Sequence, residues 1–209
     1  MAALTAIALN CTLKRSGGEK SSTDKMIDLI AGELKKHDVA LTETIRLADH
    51  NILPGVKSDE GKGDDWPAIR KQILAADILI LGTPIWMGQM SSIAKRVTER
   101  MDAFLSETDD YGRTPAFGKI AVTAIVGNED GAHHCTATLF QALNDVGWTI
   151  PAAGSCYWVG EAMSDVDFKG LKSVPEVIRE TAQMLASNAA HLAVKLKVDP
   201  YMGMTKEKK

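Results

Sequence analysis

No run of apolar residues in this 209-residue chain approaches the roughly 20 needed to cross a bilayer. A membrane span is therefore not expected. The apolar N-terminus, Met1 to Leu9, lacks a basic flank and a small-residue cleavage site, so a first buried strand is expected rather than a secretory leader. Cysteine is scarce: Cys11, Cys135 and Cys156 are odd in number, far apart and without a C-x-x-C pair, which excludes a disulfide framework or a thiolate metal centre. Cytoplasmic residence is the corresponding expectation. Charge of one sign is missing too. The net charge is −3 and there is no arginine-rich stripe, which speaks against nucleic acid as a partner. It is also little acidity for an electron shuttle that docks through charge.

Several catalytic signatures are absent. There is no G-x-S-x-G elbow, hence little support for hydrolysis. The G-x-G-x-x-G dinucleotide fingerprint is missing. A Walker loop fails because Glu19 separates Gly18 from Lys20. A zinc site at His133, His134 and Cys135 fails because adjacent residues cannot readily share one tetrahedral ion. No metal is expected. The paired carboxylates Asp64-Asp65 and Asp109-Asp110 read as solvated loop residues. Internal repeats and low-complexity blocks are also lacking.

What remains is an alternation of strands and helices. Ala3–Leu9 is a short apolar run, Ile78–Leu81 is continuously apolar and Ile120–Val126 is β-branched, as expected of central parallel strands covered on both faces. Val39–Ile45 alternates and suits a strand nearer an edge. A fifth strand is expected within Thr149–Val159. Between them, Ile27, Ile30 and Leu34 share one helical face, as do Ile93, Val97, Met101 and Phe104. Ile69–Leu74 marks a short second helix opened by Trp66-Pro67. Leu139, Leu143 and Val146 mark a fourth, and Ile178, Leu185 and Leu192 a fifth. Strict alternation predicts an α/β fold with a doubly wound parallel sheet and helices on both faces. One domain over residues 1–198 and a polar tail at 199–209 are expected.

In such a sheet, ligands bind beyond the carboxyl ends of the strands where strand order reverses. Three loops there are unusual. Asn10–Thr23 (NCTLKRSGGEKSST) carries hydroxyls, glycines and cations into the start of the first helix, where free backbone N–H groups attract an anion. A monophosphate fits this set. The alternative is a plain N-cap at Ser21 or Ser22 with Asp24 completing a capping box. Gly82–Ser92 (GTPIWMGQMSS) offers Trp86 as a stacking surface and loop amides for a ring's polar edge, or else Trp86 merely packs on a neighbour. Gly127–His134 (GNEDGAHH) offers Asn128 to a heterocycle edge, with Asp130 as the alternative helix cap. His133 is the candidate contact to a carbonyl that gains charge on reduction, equally readable as a plain helix residue. Cys11, beside the phosphate site, reads as a buried filler.

The segments LNCTLK…SST and GTPIWMGQMSSIAKRVTERMD, followed by the glycine-rich loop after the fourth strand, resemble the NADPH-dependent FMN reductase and WrbA-like branch of the flavodoxin superfamily. Flavodoxin itself exemplifies the switch-point rule used above. The resemblance implies a flavodoxin-like five-stranded sheet of order 2-1-3-4-5. It implies FMN, with Thr12, Lys14, Ser21, Ser22 and Thr23 at its phosphate. Pro84, Ile85, Trp86, Met87 and Gly88 would hold the ring, and Asn128, Asp130 and Gly131 would meet its far edge. It further implies NAD(P)H as co-substrate, a quinone, flavin or other small molecule as acceptor, and a homodimer or homotetramer. The competing expectation is a flavodoxin-type electron carrier without NAD(P)H turnover of its own. Cys11-Thr12-Leu13-Lys14 departs from the Gly-Ser-Pro-Arg common in these relatives.

Overall fold

A computed structural model describes residues 3–204; Met1, Ala2 and the tail residues 205–209 lie outside the described part. Five parallel strands form the sheet: β1 (Leu4–Asn10), β2 (Val39–Arg46), β3 (Ile78–Trp86), β5 (Ile120–Gly127) and β6 (Ser155–Val159). Their order is β2-β1-β3-β5-β6, and a two-residue strand β4 (Gln89–Met90) folds back antiparallel on the end of β3. Without β4 this is the expected 2-1-3-4-5 arrangement. Val39–Arg46 takes the edge, as its alternation predicted. The last strand begins only after Gly154, and Thr149 contributes a single bridge to Ile120.

The period of two in each strand sorts side chains to opposite faces. Leu79 and Leu81 join one core with Trp66, Ile69, Val97, Phe104, Leu139 and Trp148. These come from α2 (Trp66–Ala75), α3 (Ser92–Met101), the turn after it, α4 (Ala132–Asp145) and, for Trp148, the segment that follows α4. Ile78 and Ile80 join the other core with Met26, Ile27, Ile30, Leu185 and Ala189. Those come from α1 (Ser22–Lys35) and α5 (Glu176–Val198). Gly82 is what lets α1 lie close to the end of β3. A Cβ there would stand 2.7 Å from Ile27 Cδ1 and 2.8 Å from Thr23 Cγ2. The start of α1 is thereby brought to the carboxyl ends of β1 and β3.

The polar excursion from residue 47 to 65 is not loosely solvated. Arg100 of α3, fully buried, donates to the carbonyls of Leu53 (2.9 Å) and Lys57 (2.8 and 3.0 Å) and pairs with Asp64 at 2.7 Å. Both side chains of this pair are withdrawn from solvent, which corrects the expectation of a solvated Asp64. Asp109 instead remains half-exposed and binds Arg113. The described part of the tail also has partners: Tyr201 packs edge-on against Phe117 and Met204 N donates to Tyr111 O.

Burial alone would raise the Asp64 pKa. Hydrogen bonds from Arg100 and from the amides of Glu60, Trp66 and Leu53 outweigh it and hold the carboxyl down at about 2, against an ordinary 3.8. A depressed carboxylate stabilises the fold above its unfolded pKa and loses that contribution as pH falls through the folded value. Acid titration of stability should therefore show a wild-type loss between about pH 4 and 2 that Asp64→Asn lacks. At neutral pH that variant should be less stable by about 3–5 kcal/mol in denaturant titration, because Arg100 keeps its charge in a buried site.

Candidate functional site

At the end of β1, Asn10 is completely buried and ties three segments together. Its Oδ1 accepts from Thr12 N at 3.0 Å and its Nδ2 donates to Asp24 Oδ1 at 2.5 Å. Ser21 is the N-cap of α1. Its Oγ accepts from Asp24 N (3.1 Å) and donates to Asp24 Oδ2 (3.0 Å), and Ser21 N donates to the same oxygen (2.7 Å). The second acidic contact is an ion pair between Asp24 and Arg46 at the end of β2. Burial pushes the Asp24 pKa up, but the Ser21 hydrogen bonds, the Arg46 charge and Asn10 bring it below its usual value.

Asp24 is thus turned toward β1 and β2 and is neutralised there. The Ser21 hydroxyl belongs to the cap, although Ser21 was expected to serve the phosphate with its neighbours. The first-turn amides of Ser22 and Thr23 have no acceptor among the described residues, since helix geometry gives them none within α1. The Thr23 hydroxyl, on a residue only 2% exposed, has no hydrogen-bond partner among the described residues. Ser22 Oγ accepts from Lys169 N at 3.1 Å and keeps its own proton. Lys14 Nζ forms no salt bridge among the described residues.

Beyond the second loop, Ser91 caps α3, its Oγ accepting from Ala94 N (3.2 Å) and donating to Cys11 O (2.7 Å). Thr83 Oγ1 accepts from Ser91 N. Loops one and two are therefore bonded to each other. Between β3 and β4 the chain reverses through Met87 and Gly88, with φ of +53° and +70°. Two consecutive positive φ values are those of the two-residue turn that suits strand twist. Met87 tolerates this conformation beside a carboxylate: Glu129 accepts from Met87 N and Gly88 N, each at 3.0 Å. These two amides, expected to be available to a ring edge, are thus engaged by Glu129. The hairpin leaves Trp86 about half exposed, at 52%, with ring surface still uncovered.

Gly131 sits against the same hairpin. With φ of +128° and room for a Cβ only 2.6 Å from Gly88 O, the position admits no side chain. It also occupies the N-cap place of α4, where no side chain among the described residues caps; Asp130 Oδ1 accepts from Gly131 N instead. Asn128 Nδ2 donates to Ser164 O (3.1 Å), Val166 O (3.3 Å) and Asp167 Oδ1 (3.2 Å), so its amide holds the segment after β6.

These loops enclose a crevice of about 500 Å³, within the range of small-molecule sites. Thr12, Lys14, Ser21, Ser22, Thr23, Pro84, Ile85, Trp86, Met87 and Asn128 line it. The structure therefore gathers ten of the expected residues, from three separate loops, around one space. Gly88, Asp130 and Gly131 stand behind that lining. His133 is also outside it: Nε2 lies 2.8 Å from Tyr157 OH, with the rings edge to face at 5.2 Å. His134 meets Gln89 Oε1 at 2.9 Å.

A fourth wall had not been anticipated. Trp158 at the end of β6, with Met163, Ser164, Asp167 and Lys169 beyond it, completes the crevice. The signal was available in principle, since this segment also leaves the carboxyl end of a strand. Its composition, however, is that of an ordinary loop. The backbone-acceptor role of Glu129 was missed for a similar reason, because an acidic residue in a turn does not announce it.

The three thiols are all buried. Burial pushes Cys11 well above the usual thiol range, Cys135 up to about 11 and Cys156 up to about 12. None is a nucleophile near neutral pH. Among the described residues no three His, Cys, Asp or Glu are grouped to hold a metal ion, and no helix is long and apolar enough to cross a membrane.

Comparison with known proteins matches this arrangement. A protein of Streptomyces davaonensis, 8-demethyl-8-aminoriboflavin-5'-phosphate synthase, is 30% identical over 95% of this chain and 80% of its own length. The crystal structure of RosB with a bound 8-demethyl-8-formylriboflavin-5'-phosphate intermediate superposes with a TM-score of 0.86 at 30% identity, covering 96% of this chain and 82% of that one. A WrbA-like flavodoxin from Agrobacterium tumefaciens shares the fold, with a TM-score of 0.55 at 14% identity over 93% of this chain and 99% of that one. A divalent metal cation transporter, MntH of Mycobacterium bovis, is 40% identical over 76% of this chain, which spans only 24% of that relative's length. The profile of the NADPH-dependent FMN reductases matches residues 5–162, the stretch that supplies β1 to β6 and the first three walls of the crevice, and this chain belongs to that family.

Proposed function

We propose that the crevice holds FMN and that the protein passes reducing equivalents from NAD(P)H to a quinone, a flavin or another small acceptor. The observation that carries this is the first turn of α1. It presents two unpartnered amides and the Ser22 and Thr23 hydroxyls to a crevice whose far end is an uncovered tryptophan. Phosphate suits the first feature and a flat heterocycle the second.

Thr12, Lys14, Ser22 and Thr23 would hold the phosphate. The ring would lie along Pro84, Ile85, Trp86 and Met87, with Asn128 and Trp158 opposite. Bound FMN supplies hydride and electron chemistry, and the protein supplies position and electrostatics. Asp24, paired with Arg46, leaves the helix start receptive to an anion. Glu129 keeps the hairpin in the conformation that presents Trp86. The exposed rim at Trp86 and Met87 fits a partner subunit in a homodimer or homotetramer, and residence in the cytoplasm is proposed with it.

The purified protein should show flavin absorbance, or acquire it with FMN, and should oxidise NADH or NADPH in the presence of a quinone. FMN binding with negligible NAD(P)H oxidation would instead favour an electron-transfer protein. Absence of flavin binding would overturn both. The synthase relative favours a second reading, in which the flavin phosphate is itself the substrate. Incubation with FMN, dioxygen and an amino donor such as an amino acid, followed by mass analysis of the flavin, separates the two, since only the second changes its mass.

Ser22→Ala with Thr23→Ala should weaken FMN by roughly 2–3 kcal/mol, allowing for overlap between two hydrogen bonds to a charged group. Ser21→Ala should act on the fold, lowering unfolding free energy by about 1 kcal/mol as expected for a lost N-cap. Equal loss of affinity in both would reject the division between cap and ligand groups. Trp86→Ala should change the bound-flavin spectrum or the turnover while leaving the melting temperature near wild type; identical spectra and rates would leave Trp86 as a packing residue.

A further inference from the structure

The segment after β6 meets the start of α1 through Lys169. Its backbone N–H donates to Ser22 Oγ at 3.1 Å, and its carbonyl accepts from Lys25 Nζ at 3.3 Å, as does that of Leu171 at 3.0 Å. The backbone of residue 169 is thus fixed beside the anion-receptive turn independently of its side chain. Lys169 is one of the residues lining the crevice, and its ammonium pairs at 2.5 Å with Glu19. The two partners differ in setting: the Glu19 side chain is 85% exposed and that of Lys169 only 27%. An ion pair with one member in water contributes little. A phosphate monoester brings nearly two charges and three acceptor oxygens to the same place, and the flexible four-carbon stem of lysine can follow it.

We propose that Lys169 is a specificity-determining residue whose ammonium leaves Glu19 for the 5'-phosphate of the flavin, so that the segment after β6 distinguishes FMN from riboflavin. This rests on the crevice holding FMN. Lys14 supplies cationic charge from the first loop, whereas Lys169 supplies it from the segment after β6. Glu19 is the counter-ion that occupies the ammonium until phosphate arrives.

The test is the Kd of FMN and of riboflavin, by flavin fluorescence quenching, for wild type, Lys169→Met, Lys169→Arg, Glu19→Gln and the double variant of Glu19→Gln with Lys169→Met. Lys169→Met should weaken FMN about tenfold, as for one charge-assisted hydrogen bond, and leave riboflavin within about twofold. Lys169→Arg should retain most of the FMN affinity. Glu19→Gln should tighten FMN by roughly two- to fivefold, and that gain should vanish in the double variant. Equal weakening of both flavins by Lys169→Met would overturn the proposal in favour of simple packing, and so would unchanged FMN affinity. A wild-type protein that binds neither flavin would overturn the FMN reading itself. Wild-type binding with an indifferent Lys169→Met would overturn only the role of Lys169.

Discussion

The Asp24 carboxylate is the point on which the site depends. Asn10 reaches it from β1, Ser21 from the cap of α1 and Arg46 from the end of β2. Three elements distant in sequence are thereby held in one arrangement at the carboxyl edge of the sheet. A carboxylate in the first turn is itself favourable to a helix, yet unpaired it would repel any anion bound there. Pairing with Arg46 removes that conflict. The charge that stabilises the helix is compensated on the side away from the crevice, and the unpartnered amides of Ser22 and Thr23 remain to face it.

The remaining walls are fixed to one another rather than to the core alone. Ser91 joins the first and second loops through Cys11 O. Glu129 joins the second and third through the Met87 and Gly88 amides, and Asn128 joins the third to the segment after β6. Loops that bond only to themselves move independently, whereas a closed circuit of this kind holds a crevice in shape before a ligand arrives. It also explains why a half-exposed tryptophan can stay in place with little packing around it.

Much of the fold was legible because burial dictates composition. Ile78–Leu81 is apolar without interruption, and Ile120–Val126 apolar but for Thr123, because helices cover both faces of the sheet, and Val39–Ile45 alternates because it lies at the edge. The hydroxyl-rich start of α1 was legible for a similar local reason, since Ser21 and Asp24 at a spacing of three form the capping box within the chain's own turn. Less accessible was the environment of Asp64. Its neighbour Asp65 is half-exposed, and nothing adjacent in sequence indicates that Arg100, in the last turn of α3, closes on Asp64. The roles of Glu129, Asn128 and Lys169 were hidden in the same way, because each acts on backbone or charge more than 35 residues away.

Sequence by itself determined the class of fold, the capping box at the start of α1 and the placing of Trp86 in the segment that leaves β3, because these follow from periodicity and from contacts within a few residues. Tertiary structure decided which hydroxyls keep a proton to donate, Ser22 and Thr23 rather than Ser21, and which amides are taken, those of Met87 and Gly88. It also decided that a fourth wall exists. The physical reason is the same throughout: a donor or charge has a chemistry fixed by its residue type, but its availability depends on partners that only the folded chain brings within reach.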